Sequence, residues 1–317
     1  MCEGVNAVGT NARFCRPNSV ALNAAAPDTL YVNDYYSNCV RAVNITSGSV
    51  SSFAGDIAWY GHVDGVGTNA MFNGLNGIAY GAGAVFVTEP NYIRATDVAT
   101  RTTTTLAGRG WPAACTNGVG TNADFHYPGG VAFHSGSVYV GDNCGWIRTI
   151  DVATSAVTVL VGGGSGDGVG TNAGLGKAVA ITISASGSLY FTCDGQVRAV
   201  DIATRTVTTI AGAGDNNYAN GVGTMASFYR PSGIGFDAAL GALYVADSSN
   251  SIIRLVDIGT RTVSDLVGAG NVFDLIDGRG SSATFYGMGG MAVDSMGNIY
   301  MADYYNTAIR VIARAGV

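Results

Sequence analysis

A carboxylate and an arginine recur along this chain at nearly constant spacing. Asp34, Glu89, Asp142, Asp247 and Asp303 each close a short apolar run, and Arg41, Arg94, Arg148, Arg198, Arg254 and Arg310 follow within a few residues. Such a set of acids could hold calcium. An acid at the end of a strand also caps the next turn by accepting backbone N–H groups. Chemistry repeated in every copy reads as scaffold, so the acids are expected to cap turns and the arginines to pair with them or snorkel. Chemistry that varies between copies is the better functional candidate. Arg16, Gly74, Tyr127, Lys177, Arg230 and Gly287 share one repeat position, preceded by Cys15, Asn73, His126, Gly176, Tyr229 and Tyr286. Arg16, Lys177 (the chain's one lysine) and Arg230, with Tyr127, His126, Tyr229 and Tyr286, could bind an anionic group such as a carboxylate. The alternative is that Arg16 and Arg230 are solvated residues before Pro17 and Pro231 in an ordinary turn.

Aromatic side chains concentrate in the longer connections. Trp59 and Tyr60, Trp111, Tyr218 and Phe273 lie in loops of unequal length, while Tyr35, Tyr36, Tyr92, Trp146, Tyr304 and Tyr305 lie in short turns. Aromatics at a rim stack on sugars or anchor peptides, or else fold back over loop backbone. Catalytic signatures are not found. The three histidines, His62, His126 and His134, form no metal-ligand spacing. GVGTNAG (168–174) imitates a phosphate-binding loop but opens no helix, so it belongs to the repeat.

The elements that position these residues follow from the repeat. GVGTNA stands intact at 65–70, 118–123 and 168–173, with variants from Ala7, Gly221 and Gly278, so Gly9, Gly67, Gly120, Gly170, Gly223 and Gly280 mark six copies. Each is followed by Phe14, Phe72, Phe125, Leu175, Phe228 or Phe285 and by apolar runs of four to seven residues, such as LYVAD (243–247) and IRLVDI (253–258). Runs this short, rich in Val, Ile, Tyr and Thr and bounded by Gly, Asp and Asn, are strands. Four antiparallel strands cannot bury both faces of their sheet alone, and six such sheets around an axis can. The chain therefore predicts an all-β fold in one domain. It is a six-bladed β-propeller of four-stranded antiparallel blades, with blades at about 4–56, 63–109, 117–163, 167–213, 220–269 and 277–314. The last repeat stops after its third strand, predicting a blade without its outer strand and an exposed edge at 308–313. A parent protein longer than this chain is the corresponding expectation.

The script DG-G--A-F--P-G-A-D--G-LYVAD---N-IR--D---R-VTTLAG resembles the NHL repeat family over residues 4–314. Blade four departs most, with Leu175, Ala178 and Cys193 where the pattern has Phe, Pro and Asp. The resemblance implies a six-bladed propeller. Its enzymatic relatives would imply histidine ligands or a calcium in the channel, and no set of three channel histidines exists here. RNA-binding relatives use a basic top face.

Strand order puts the loops between blades and the turns between strands two and three on one face. Cys15 and Cys39 around blade one, and Cys115 and Cys144 around blade three, are then expected to form two disulfides, with Cys193 a buried thiol. Disulfides place the chain outside the cytosol, compatible with the glycosylation sequon Asn44-Ile45-Thr46. A net charge of −6, with 12% charged residues, disfavours nucleic acid as a partner, and no apolar run is long enough to span a membrane. The expected function is non-catalytic recognition of a protein, peptide or glycan, without a cofactor or metal. The alternative is a hydrolase or lyase acting on a small anionic substrate at the channel mouth through Arg16, Lys177, Arg230 and Tyr127.

Overall fold

Short β-branched runs separated by Gly, Asp and Asn turns form meanders, because each link is only long enough to return antiparallel. In blade one the strands are Pro17–Leu22, Thr29–Asp34, Cys39–Asn44 and Ser49–Ala54, each paired with the next. The computed structural model describes residues 4–111 and 114–314. It repeats this meander through blades two to five, and the chain is the six-bladed β-propeller that the repeats predict. The described residues contain no helix long and apolar enough to cross a membrane.

The blade count holds, but the strand count does not. The first five blades have five strands, not four. The additional strand is a two-residue piece of the repeat motif, such as Gly65–Val66, paired to the outer side of strand four through Val66 and Thr102. Two residues carry no periodicity, so only their pairing with the neighbouring strand identifies them as a strand. Blade six, as predicted, has three strands: Met288–Val293, Ile299–Asp303 and Ala308–Ile312.

Two compact units are present, residues 1–144 with 148–159, and residues 145–147 with 160–317. In the first, Val40, Phe53, Phe72, Leu75, Ile78 and Val85 join blades one and two, and Phe86, Ile93, Phe125 and Val138 join blades two and three. In the second, Tyr190, Ile210, Phe228 and Val245 join blades four and five, and Ile253, Val267, Phe285 and Met301 join blades five and six. Blades meet closely at strand one, where a Cβ on Gly77 would lie 2.5 Å from the Gly129 carbonyl oxygen. Strand four ends on Gly55, with φ +97°, whose N–H donates to the Gly67 carbonyl at 3.1 Å. A Cβ there would press on the Phe72 ring and the Asn38 carbonyl, so glycine is required.

The recurring arginine clamps the incoming loop to the blade. The Arg254 guanidinium donates to Asp247 at 2.8 Å, to the Ser227 and Ala219 carbonyls, and to Asn220 Oδ1 at 2.6 Å. Arg310 repeats this with Asp303, Thr284, Ile276 and Asp277, and Arg148 with Asp142, Asp124, Thr116 and Asn117. Each arginine also lies over its own repeat's Phe, at 4.6–5.6 Å in five blades. Burial works against charge on both partners, raising the Asp142 carboxyl above its usual range and lowering Arg148. The hydrogen bonds to each are what keep the pair in place. In blade four Arg198 has no strand-two acid and keeps only the other partners, the Gly174 and Gly166 carbonyls and Asp167. Cys193 takes the acid's place as a buried thiol, as expected, and burial pushes it up to about 12.

Arg254→Met keeps much of the volume but leaves buried Asp247 without its cation and two carbonyls without their donor. The expected loss is about 3–5 kcal/mol of unfolding free energy, read as a lower urea midpoint with an unchanged m-value.

Candidate recognition surface

The turn between strands two and three sits against the loop entering strand one of the same blade. The acid that closes strand two makes the junction. Asp34 accepts the Cys15 N–H at 2.5 Å, Asp142 the His126 N–H at 3.0 Å, Asp247 the Tyr229 N–H at 2.7 Å and Asp303 the Tyr286 N–H at 2.9 Å. The cap expected within the turn is thus mainly a cap across to the incoming loop. Backbone bonds continue it, from Tyr36 N–H to Cys15, Asn143 to His126, Ser249 to Tyr229 and Tyr305 to Tyr286. In each of these blades the two loop types share one face.

The variable position is a backbone constraint as well as a chemical choice. Arg16, Tyr127 and Arg230 adopt φ of 58°, 44° and 52°, where Gly74 and Gly287 stand in blades two and six. In blade four the left-handed residue is Gly176, so exposed Lys177 lies one step beyond the turn. Arg16 lies over the Tyr36 ring at 4.8 Å, with its guanidinium 3.3 Å from the Tyr36 hydroxyl. Arg230 is exposed beside Tyr229, and His126 packs edge-on to exposed Tyr127 at 5.3 Å.

The loop aromatics divide into two kinds. Tyr218 folds back, its hydroxyl donating to Asp265 at 2.6 Å and its ring lying 4.9 Å from Arg254. Trp59, Tyr60 and Trp111 are exposed. Blade six gathers its loop aromatics into a cluster. Tyr286 lies 4.6 Å from Tyr305 and 5.4 Å from Phe273, and Tyr304 meets Tyr305 edge-on at 4.9 Å. Phe273, Tyr286 and Tyr305 remain 52%, 41% and 50% exposed. Gly287 makes the cluster possible, because a Cβ there would collide with the Tyr305 ring. Asn306 Nδ2 donates to the Asp274 carbonyl at 2.8 Å, tying the Phe273 loop to the tyrosine turn.

One of the two expected disulfides is present, Cys115–Cys144. The pair Cys15–Cys39 does not form. Cys39 is a buried thiol, and Cys15 is bonded to a different cysteine. The two sites were not equivalent. Cys144 lies in its turn, two residues past Asp142, whereas Cys39 already lies in strand three, paired with Asp34, with its side chain in the interior. Cys115 precedes its repeat motif and Cys15 follows its own. Cys2 lies outside the described residues.

Sequence reading also missed His62. Its Nδ1 lies 2.5 Å from Glu89, and its ring packs 4.5 Å from Tyr92. Glu89 is fully buried, and burial raises its carboxyl above the usual range against the pull of His62 and Arg94. The available signal was the one Glu among five strand-two acids, followed by a two-residue turn. Its extra methylene reaches an arginine that the longer turns deliver to aspartate.

Mass spectrometry of the native chain without reductant is expected to find Cys115 linked to Cys144. It should also find Cys39 and Cys193 alkylated only after unfolding. Labelling of either thiol in the native state would contradict their burial.

No family model matches the chain. NHL repeat-containing protein 2 of Bos taurus is 36% identical over 94 residues, 29% of this chain. Those residues are 13% of that protein, so the match spans a small part of its length. A Bacteroides thetaiotaomicron structural genomics protein of unknown function aligns over 98% of this chain and 73% of its own, with a TM-score of 0.72 at 18% identity. An auxiliary nutrient binding protein of Bacteroides ovatus aligns over 98% and 75%, with a TM-score of 0.70 at 16% identity. The solved structures share the β-propeller fold, and the 94-residue similarity, with the six repeats and the blade topology, supports the NHL-repeat resemblance.

Proposed function

We propose that this propeller is a non-catalytic recognition module that binds a protein, peptide or glycan on its loop face, outside the cytosol. The observation that carries the reading is the blade-six cluster. Phe273 and Tyr286, from the two ends of one inter-blade connection, meet Tyr305 of the following turn, stay about half exposed, and are held by backbone and Asn306 bonds. Packing alone does not call for rings left in water, whereas stacking on a sugar or gripping an apolar side chain does.

Two further features support it. Arg16, Tyr127 and Arg230 hold a left-handed conformation that glycine would adopt more easily, a local strain that recognition would justify. The recurring strand-two aspartates are committed to the arginine clamps. The nutrient-binding propeller of similar fold fits a binding role. The Cys115–Cys144 bridge and the exposed Asn44 of the sequon fit an oxidising, glycosylating compartment.

Glycan-array and peptide-library screening of the folded chain tests the reading. Tyr305→Ala and Tyr286→Ala are each expected to weaken the selected ligand by about tenfold or more, the scale of an aromatic anchor. Trp59→Ala should leave it unchanged. Loss confined to Arg230→Ala and Lys177→Ala would move the site to the cationic loops. An affinity indifferent to both tyrosines would end the proposal for blade six.

A further inference from the structure

Blade three makes covalent a tie that other blades make with hydrogen bonds. In blade five Asn250 Nδ2 donates to Asp247 at 2.9 Å and to the Asn217 carbonyl of the incoming loop. In blade six Asn306 Nδ2 does the same with Asp303 at 3.0 Å and with the Asp274 carbonyl. The blade-three turn, 143–145, is one residue shorter than 248–251 and 304–307, and Cys144 takes up the tie through Cys115. The incoming loop is already held on both sides of Cys115. Arg109 meets buried Asp124 at 2.6 and 2.9 Å, and the Thr116 hydroxyl donates to Asp124 at 2.6 Å. Arg148 holds the Thr116 carbonyl and Asn117 beyond it. Blades two and five contain no cysteine and keep the same topology, so the bond is an addition to the scaffold.

The surroundings of the two sulfurs suit bond opening. Cys115 holds φ 52°, a left-handed conformation costly for a residue with a β-carbon, and release from the bond lets it relax. Its Sγ lies 3.7 Å from Oδ1 of buried Asp142, the oxygen that also accepts the His126 and Cys144 N–H groups. Both sulfurs and a carboxylate oxygen lie within 4.8 Å of one another. The sulfurs are unequal, because Cys115 is buried and Cys144 is part-exposed. An attacking thiol therefore meets Cys144, while Cys115 leaves beside a carboxyl that burial raises above its usual range. Strained or exposed bridges are the ones that exchange. Cys39 and Cys193 offer no competing thiolate, since burial raises both.

We propose that the Cys115–Cys144 bridge is a thiol–disulfide exchange site, opened in the folded chain by a low-molecular-weight thiol, with Asp142 supplying the proton that Cys115 needs. The attacking thiolate bonds to Cys144 Sγ and the bond between the two cysteines breaks. Cys115 leaves with the electron pair and takes the Asp142 proton, so the attacking sulfur is oxidised as Cys115 is reduced. The Asp142 anion that remains faces Arg148 at 3.2 Å until water restores its proton. The product is a mixed disulfide on Cys144 and a free thiol at Cys115, with the loop still anchored through Arg109 and Thr116.

The test incubates the whole folded chain with reduced glutathione, alkylates it and maps the cysteines by mass spectrometry. A glutathione adduct is expected on Cys144 and an alkylated thiol at Cys115, with Cys39 and Cys193 unlabelled in the same sample. Their protection reports that the chain stayed folded while the bridge opened. Amide exchange should quicken at Cys115 and across 143–145. With oxidised glutathione, Cys115→Ser should gain the adduct on Cys144, and Cys144→Ser should stay unmodified at Cys115. Asp142→Asn, judged folded by the same two thiols, should open more slowly with reduced glutathione. A bridge that opens only when Cys39 and Cys193 become labelled would overturn the proposal. So would an adduct on Cys115 rather than Cys144, or opening of Asp142→Asn at the rate of the unaltered chain.

Discussion

A guanidinium buried beneath each incoming loop is the constraint on which the blades depend. It crosses from strand three to backbone carbonyls of the loop (two in five blades, one in blade one), to an Asn or Asp at the repeat motif and, in five blades, to the strand-two acid. Burying that charge opposes folding unless its terminal nitrogens find acceptors, so the loop path around them is nearly dictated. The Phe beneath it supplies a flat, weakly negative surface as well as the core of the blade junction. Arginine suits this place and lysine does not, because one planar fork reaches four acceptors at once. Blade four shows which parts are dispensable. Without an acid in strand two, Arg198 keeps the loop carbonyls and Asp167, and the blade keeps its topology.

Fixing the loop at its base releases its tip. Between the clamp and the strand-two cap, the structure demands only a left-handed residue and one N–H directed at the acid. The remaining side chains vary without cost to the fold. Blades one and six show two uses of the same frame. Both carry paired tyrosines after the strand-two aspartate. In blade one Arg16 covers Tyr36, while in blade six Gly287 lets Tyr305 settle on the backbone and meet Tyr286. A single Cβ separates a cation–π surface from an aromatic one.

What the sequence disclosed follows the same division. Blade number, core Phe residues, buried arginines and the incomplete last blade were legible because each is repeated, and repetition separates scaffold from variation. The short motif strand was not legible, since a two-residue segment is a strand only through its pairing with strand four. Side-chain meetings between loops were partly legible. Cys115 and Cys144 could be joined because both lie in loops on one face. Cys39 could not be excluded from a bridge without knowing that strand three had already begun. His62 and Glu89 escaped because their contact depends on turn length, which changes from blade to blade.

Blade six shows why repetition limits as well as builds. In a stacked repeat each unit is stabilised by its own ladder and by its neighbour's face. The inner strands of blade six share the Ile253, Val267, Phe285 and Met301 core with blade five. Among the described residues its third strand is paired on one side, to Ile299–Asp303. It lies in the same blade as the tyrosine cluster, and Arg310 joins the edge strand to the acid that positions Tyr286. Covering the edge would therefore steady the loop that carries the cluster, coupling strand pairing on the rim to side-chain order on the face through one buried guanidinium.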